Sequence, residues 1–199
     1  EIISVDSMQV YRGMDIGTAK PSPAEQQRVR HHLLDVVSLS ENFDAARFRE
    51  LASTAEQSIR DQGRVPLFCG GTGLYFKALL GGLGQSPPSD PVLRAQLEAL
   101  PLEALLAELE QRDPRTHETM DRNNPRRVVR AVEVLRLTGR PLSEQRSDWS
   151  AARQPRAFFV LNREPGDLRR RIEARVDRMF ALGLVDEVKR LLKEGLAEN

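Results

Sequence analysis

Four groups of residues in this chain have types and spacings that could do chemistry. The first is Asp6, which ends the apolar run of Ile2, Ile3 and Val5 and is followed by Ser7, Met8, Gln9 and Tyr11. A run of that length suits a strand covered on both faces of a parallel α/β sheet. Ligands of open α/β sheets bind outside the carboxyl ends of the strands, so an Asp at that point is placed for chemistry. An Asp there also suits a cap on the following turn. The second group is Gly70, Gly71, Thr72 and Gly73, opening the apolar helix LYFKALL. A helix start offers unpaired N–H groups and a positive dipole end to an anion. Glycines permit close backbone approach, and the Thr72 hydroxyl adds a donor. An ordinary strand-to-helix turn with Thr72 as N-cap has the same residues. Placement on the Asp6 edge of the sheet favours the anion.

The third group lies in NNPRRVVRAVEVLRLTGR, residues 123–140. Asn124 and Pro125 signal a helix start, and Val128, Ala131, Val132 and Leu135 form a core stripe. Arg126 and Arg130 are one turn apart on a shared face with Arg127 beside them, a set suited to phosphate or base contacts. A solvated helix face has the same appearance. The fourth is DLRRRIEARVDRMFALGL, where Leu168, Ile172, Val176 and Met179 mark a stripe and Arg175 falls on its side. An inward arginine requires an anion or a carboxylate partner, because an unpaired buried charge is costly. Arg171 and Arg178 are expected to face water. His31 and His32 are adjacent, share no face and make no metal site by themselves. One could approach the Asp6 edge, although structural hydrogen bonding suits both. Cys69 reads as a small apolar strand residue.

The elements that must position these groups follow from breakers and periodicity. Gly13 to Pro23 reads as a loop, Leu33 to Val37 as a second strand, and Asp44 to Arg60 as a helix with Phe48, Leu51, Ala52, Ala55 and Ile59 inward. Gly63 ends that helix and Arg64 to Cys69 forms the next strand, an order that implies right-handed crossover and a parallel sheet. GGLGQSPPSDP, residues 81–91, marks a boundary, followed by helices over Val92–Leu100, Leu102–Arg112 and Pro125–Thr138. A strand at Ala157–Leu161 returns to the sheet, and helices run from Asp167 to Leu182 and from Val185 to Lys193. The fold class is α/β, with a core made of residues 1–84 and 155–199 and a helical insertion of residues 85–154.

The chain has 199 residues, a net charge of +1 and a single cysteine, which excludes an internal disulfide and a cysteine-based metal cluster. No apolar run reaches membrane-spanning length, so nothing points out of the cytoplasm. Between Arg122 and Arg146 stand seven arginines against Glu133 and Glu144, a local polyanion footprint in an otherwise neutral protein. The chain begins with Glu1 already inside a strand pattern, which predicts a piece of a longer protein.

EIISVDSMQVYRGMDIGTAKP, GGTGLYFKALL, NPRRVVRAVEVL, and RIEARVDRM with GLVDEV together resemble the bacterial tRNA dimethylallyltransferase family in order and spacing, over essentially the whole chain. The resemblance implies a P-loop-NTPase-like core, of the nucleotide- and ATP-binding class, with a helical insertion gripping the tRNA anticodon arm. It implies Mg²⁺-assisted transfer of a dimethylallyl group from dimethylallyl diphosphate to N6 of the adenosine adjacent to the anticodon, by a cytoplasmic monomer. Asp6 would be the general base, and Ser7, Met8 and Gln9 would read the flipped adenosine and its neighbours. Thr72 and Arg175 would hold the diphosphate. His31 would match the family's active-site histidine, with His32 the alternative. Arg94, Arg126, Arg127, Val128, Val129 and Arg130 would contact tRNA. The sequence lacks the family's Gly-rich P-loop and its Lys before Glu1, and stops at Asn199 ahead of the family's last helices. Those departures predict an inactive stretch with exposed sheet edges when it stands alone. Competing readings are an adenylate isopentenyltransferase acting on free AMP or ADP, a P-loop kinase requiring ATP, and a non-catalytic RNA-binding fragment.

Overall fold

The computed structural model describes residues 1–84, 86–145 and 157–196. The expected boundary between Gln154 and Pro155 lies outside them. The chain forms two compact units, Glu1–Leu80 with Arg153–Asn199, and Gly81–Ala152.

In the first unit β1 (Ile2–Val5) is the centre of a parallel sheet, with α1 (Pro23–Arg28), β2 (His31–His32), α2 (Ala45–Asp61), β3 (Leu67–Gly70) and α3 (Gly73–Gly81) following in order. The strand order is β2-β1-β3, with Ile2 opposite both His31 and Leu67, and Val5 opposite Gly70. Ile3 and Val5 are buried, and Phe48, Ala52 and Ile59 of α2 pack in the same cluster with Tyr75 of α3. The Tyr75 ring stacks on Phe48 with centroids 4.2 Å apart. Asp44 starts α2 by accepting the Ala46 and Arg47 N–H groups. The second strand is shorter and earlier than Leu33–Val37. Leu33 and Asp35 adopt φ of 63° and 56°, which turns the backbone out of the ladder, and Val37 returns only as an isolated bridge to Tyr11. The third strand starts after Pro66, which has no N–H for a ladder.

The second unit contains α4 (Pro91–Glu98), α5 (Leu102–Arg112), α6 (Pro114–Thr119), α7 (Pro125–Thr138) and α8 (Leu142–Gln145). Leu97, Leu105, Leu109, Val128, Ala131, Val132 and Leu135 form its core. Buried Asp113 joins two of these helices, accepting the Thr116 N–H at the start of α6 and both the N–H and hydroxyl of Ser143 in α8.

The chain then returns to the first unit with α9 (Pro165–Ala181) and α10 (Leu184–Lys193). No strand forms at 157–161; Phe158, Phe159, Val160 and Leu161 are all exposed. A strand requires a neighbour to take its backbone groups, and the outer edge of β3 is unpaired among the described residues, with Leu67 exposed. The expected stripe on α9 is also uncovered. Leu168, Ile172 and Val176 are exposed and Met179 is only half-buried, and the helix buries none of its residues.

One contact sets the spacing of β1 and β3. A Cβ on Gly70 would lie 2.2 Å from the Val5 carbonyl oxygen, whereas a Cβ on Gly71 would meet nothing within 4 Å. Gly70→Ala is therefore expected to cost about 3 kcal/mol in denaturant unfolding, and Gly71→Ala to stay within about 1 kcal/mol of the parent chain.

Candidate active site

Parallel pairing brings the carboxyl ends of β1 and β3 to one edge. There the Thr72 N–H donates to the Val5 carbonyl at 3.1 Å, and the Ser7 N–H donates to the Thr72 hydroxyl oxygen at 3.1 Å. The Thr72 and Ser7 hydroxyls lie 3.5 Å apart. Thr72 thus starts α3 through its carbonyl, which accepts the Tyr75 and Phe76 N–H groups, while its hydroxyl bridges to β1. Asp6 does two things at once. Its Oδ1 accepts the N–H groups of Met8 and Gln9 at 2.8 and 3.1 Å, which closes the turn. Its Oδ2 has no partner among the described residues. The edge therefore presents one free carboxylate oxygen, two hydroxyls, and the start of a helix whose first N–H groups lack intrahelical acceptors. Tyr75, in the first turn of α3, is buried against Phe43 and Phe48. Burial, with smaller contributions from Tyr11, Asp44 and Asp6, raises its phenol to about 12, so the ring stays neutral.

A carboxylate and an anion-binding helix start on one edge suit displacement of a phosphorylated leaving group. Comparison with known proteins gives this edge its family. The family description "IPP transferase" matches residues 9–199. The chain belongs to the IPP transferase family. It is 46% identical over 205 residues to a tRNA dimethylallyltransferase of Geobacter sulfurreducens, covering 100% of this chain and 66% of the relative. It is 45% identical over 202 residues to tRNA dimethylallyltransferase 1 of Trichlorobacter lovleyi, covering 98% of this chain and again 66% of the relative. The chain thus spans just under two thirds of the length of these curated relatives. A solved structure of a eukaryotic dimethylallyltransferase acting on tRNA shares the fold with a TM-score of 0.73 and 28% identity, over 97% of this chain and 49% of that one.

Among the residues expected to act in this IPP transferase chain, Asp6, Ser7 and Thr72 meet at the edge, and Met8 stands exposed beside them. Gln9 does not offer its amide outward. Its Oε1 accepts the Ser4 hydroxyl, and its Nε2 donates to the carbonyls of Thr18 and Ala19. Its role is to anchor the loop. Gly70 faces the Val5 backbone, so its missing side chain serves the sheet. His31 requires a correction. It pairs opposite Ile2, four residues before Asp6 on a parallel strand, which places it about 13 Å short of the edge at 3.3 Å per residue. Its Nδ1 contacts the Val29 carbonyl, and His32 is bonded to the Glu1 carboxylate, so neither histidine serves the Asp6 edge. The inward setting expected of Arg175 is not found: it is solvent-exposed, with no carboxylate partner among the described residues.

In the helical unit the cationic residues separate into two kinds. Arg126 and Arg127 are exposed at the start of α7. Arg94 and Arg130 both bond Glu133, at 3.1 and 2.6 Å, and this carboxylate also accepts the Ser89 hydroxyl and the Asp90 N–H. Arg130 further donates to the Pro87 carbonyl, and the Arg94 Nε is buried without an acceptor. Val128 and Val129, grouped with the arginines as RNA contacts, are buried, so their side chains pack into the core. Sequence reading missed the role of Glu133, one of two acids in an arginine-rich stretch. Its signal was its position three residues after Arg130, on the same helix face. No group of three or more His, Cys, Asp or Glu among the described residues could hold a metal ion. No helix there is long and apolar enough to cross a membrane.

Burial would raise the Glu133 pKa, but the bonds from Ser89, Arg130 and Asp90 and the charge of Arg94 outweigh it and hold it below the usual carboxylate value. A depressed folded-state pKa gives stability that is present above the unfolded value, about 4.3, and lost as pH falls through the folded one. Acid titration of urea unfolding should therefore show a loss below about pH 4 that is smaller in Glu133→Gln.

Proposed function

We propose that the intact protein transfers a dimethylallyl group from dimethylallyl diphosphate to N6 of the adenosine adjacent to the anticodon of tRNA, acting as a cytoplasmic monomer. The observation that carries the proposal is the free Asp6 Oδ2 beside the Ser7–Thr72 pair, at the start of α3. In this reaction the C1–O bond of the allylic diphosphate breaks, C1 bonds to the adenine N6, and an N6 proton leaves. Asp6 Oδ2 accepts that proton while Oδ1 stays fixed by two N–H groups, so the carboxylate needs no reorientation. Its charge also stabilises the allylic cation that develops as diphosphate departs. The Thr72 hydroxyl and the N–H groups at the start of α3 stabilise the charge growing on the leaving group. Hydroxyl oxygens are hard donors suited to Mg²⁺ carried on a diphosphate, and Ser7 and Thr72 would be its contacts from this chain; the ion would neutralise leaving-group charge. Met8, exposed next to Asp6, offers an apolar face for an extruded base.

Arg126 and Arg127 are the phosphate contacts this reading favours, because their guanidinium groups are exposed, whereas Arg94 and Arg130 are bonded to Glu133. The names and lengths of the relatives support an activity of the intact protein rather than of this stretch by itself.

Asp6→Asn in the intact protein should reduce label transfer from dimethylallyl diphosphate to unmodified tRNA by at least about a hundredfold, with tRNA binding retained. Transfer to free AMP in place of tRNA would favour the adenylate-type reading. Arg126→Ala and Arg127→Ala should each weaken tRNA binding and lower the slope of log K against log salt by about 1, measured by filter binding. Arg94→Ala and Arg130→Ala should change the unfolding midpoint more than that slope.

A further inference from the structure

We propose that Glu187 is a positioning residue that locks the loop after β1 onto α10 and thereby sets the Asp6 carboxylate. Residues 15–17 present three successive backbone N–H groups to this one side chain. Glu187 Oε2 accepts from Asp15 and Ile16 at 3.0 and 2.8 Å, and Oε1 accepts from Gly17 at 2.9 Å. The residue is 8% exposed although it carries a charge. A cradle of adjacent amides is an anion site, and here an internal carboxylate from 170 residues downstream occupies it.

The same face of α10 holds the loop at neighbouring points, as the spacing of Leu184, Glu187, Arg190 and Leu191 requires. Arg190 donates to the Gly13 carbonyl at 2.9 Å. Gly13 has φ +79°, and a Cβ on it would lie 2.9 Å from an Arg190 nitrogen. Leu191 is buried with Val10, Tyr11, Val37 and Leu39. A Cβ on Gly17 would come within 3.2 Å of Leu184. Gly13 is required here for its positive φ, while a Cβ at either glycine would meet only side-chain atoms of α10.

From the lock, a continuous path leads to the reacting edge. The carbonyls of Thr18 and Ala19, just past the cradle, accept the Gln9 amide nitrogen. The Gln9 N–H in turn holds Asp6 Oδ1, and this leaves Oδ2 unbonded. A second tie lies beside it. The Lys20 ammonium, with its side chain 3% exposed, bonds Asp15, Asp35 and the Tyr11 carbonyl. Glu187 touches none of the groups at the edge; it acts through the loop. The kinetic half of this inference rests on the transfer reaction proposed above, whereas the structural half does not.

Hydrogen exchange and transfer kinetics of Glu187→Gln and Glu187→Ala in the intact protein test both halves. An amide nitrogen in place of Oε1 or Oε2 cannot accept, so Glu187→Gln should speed exchange at Asp15, Ile16 and Gly17 by about tenfold or more while amides of β1 and β3 keep their protection. Transfer to tRNA should fall in kcat by about tenfold, with KM for dimethylallyl diphosphate within about twofold, because a misdirected general base affects chemistry more than binding. If Glu187→Ala fails to fold, Glu187→Gln, which keeps the side-chain volume, decides. Unchanged exchange at residues 15–17 would overturn the lock. Faster exchange with unaltered kcat would overturn the positioning role. Loss of activity that only parallels a lowered Tm, with exchange raised everywhere, would show general destabilisation and also overturn it. A parent protein inert toward tRNA and dimethylallyl diphosphate would sink the transferase reading, and the exchange data alone would then decide the lock.

Discussion

The approach of Gly70 to the Val5 backbone is the constraint on which the reacting edge depends. It aligns β1 and β3 so that both end at the same level. That alignment brings the Thr72 N–H to the Val5 carbonyl and the Thr72 hydroxyl to the Ser7 N–H, over a sequence separation of 65 residues. A slip of one residue in a parallel pair would turn alternate side chains to the opposite face and separate Asp6 from the start of α3. The glycine is thus a requirement of the sheet, and the open edge next to Gly71 follows from it.

Each unit is organised by a buried carboxylate with a different kind of partner. Glu133 gathers two guanidinium groups, a hydroxyl and an N–H within the helical unit, and so ties down Arg94 and Arg130, whose side chains stay part-exposed. Glu187 takes three N–H groups and, among the described residues, no cation, and so shapes backbone. Burial of a carboxylate is unfavourable unless its oxygens are satisfied, and charge-assisted bonds at 2.6–3.1 Å meet that demand in both places. The consequence differs. One network decides which arginines are free for a polyanion, and the other decides where a loop lies.

The apolar surface of the α/β unit is incompletely covered. Phe158 to Leu161, Leu67 on the outer strand and the stripe Leu168, Ile172 and Val176 on α9 are all exposed in the same unit. Within the 158–161 segment the Phe158 ring meets Phe76 edge-on, with centroids 5.9 Å apart. Arg175 lies on this uncovered helix, so its side chain faces solvent where an inward face was expected.

Local signals were enough for the elements and for half of the edge. The apolar run before Asp6, the glycine-rich turn at Gly70 and the Asn124–Pro125 helix start are short-range patterns, and each marks a strand end or helix start that the structure contains. The periodicity of α2 and α7 identified their buried faces because an amphipathic helix with a packing partner must turn its stripe inward. The same periodicity misled at α9 and at 157–161, where the pattern is present but most of its apolar side chains stay exposed among the described residues. Residues 31–37 failed for another reason: positive φ at Leu33 and Asp35 is a backbone choice that their side chains do not announce. Sequence by itself determined the family and the parallel α/β class and placed Asp6 at a strand's carboxyl end, since these reside in local order and spacing. Tertiary structure alone decided that His31 lies far from that base, that Arg94 and Arg130 are bonded to Glu133, and that Glu187 holds the loop at 15–17. Strand register and long-range carboxylate contacts join residues far apart in the chain, and no local pattern carries them.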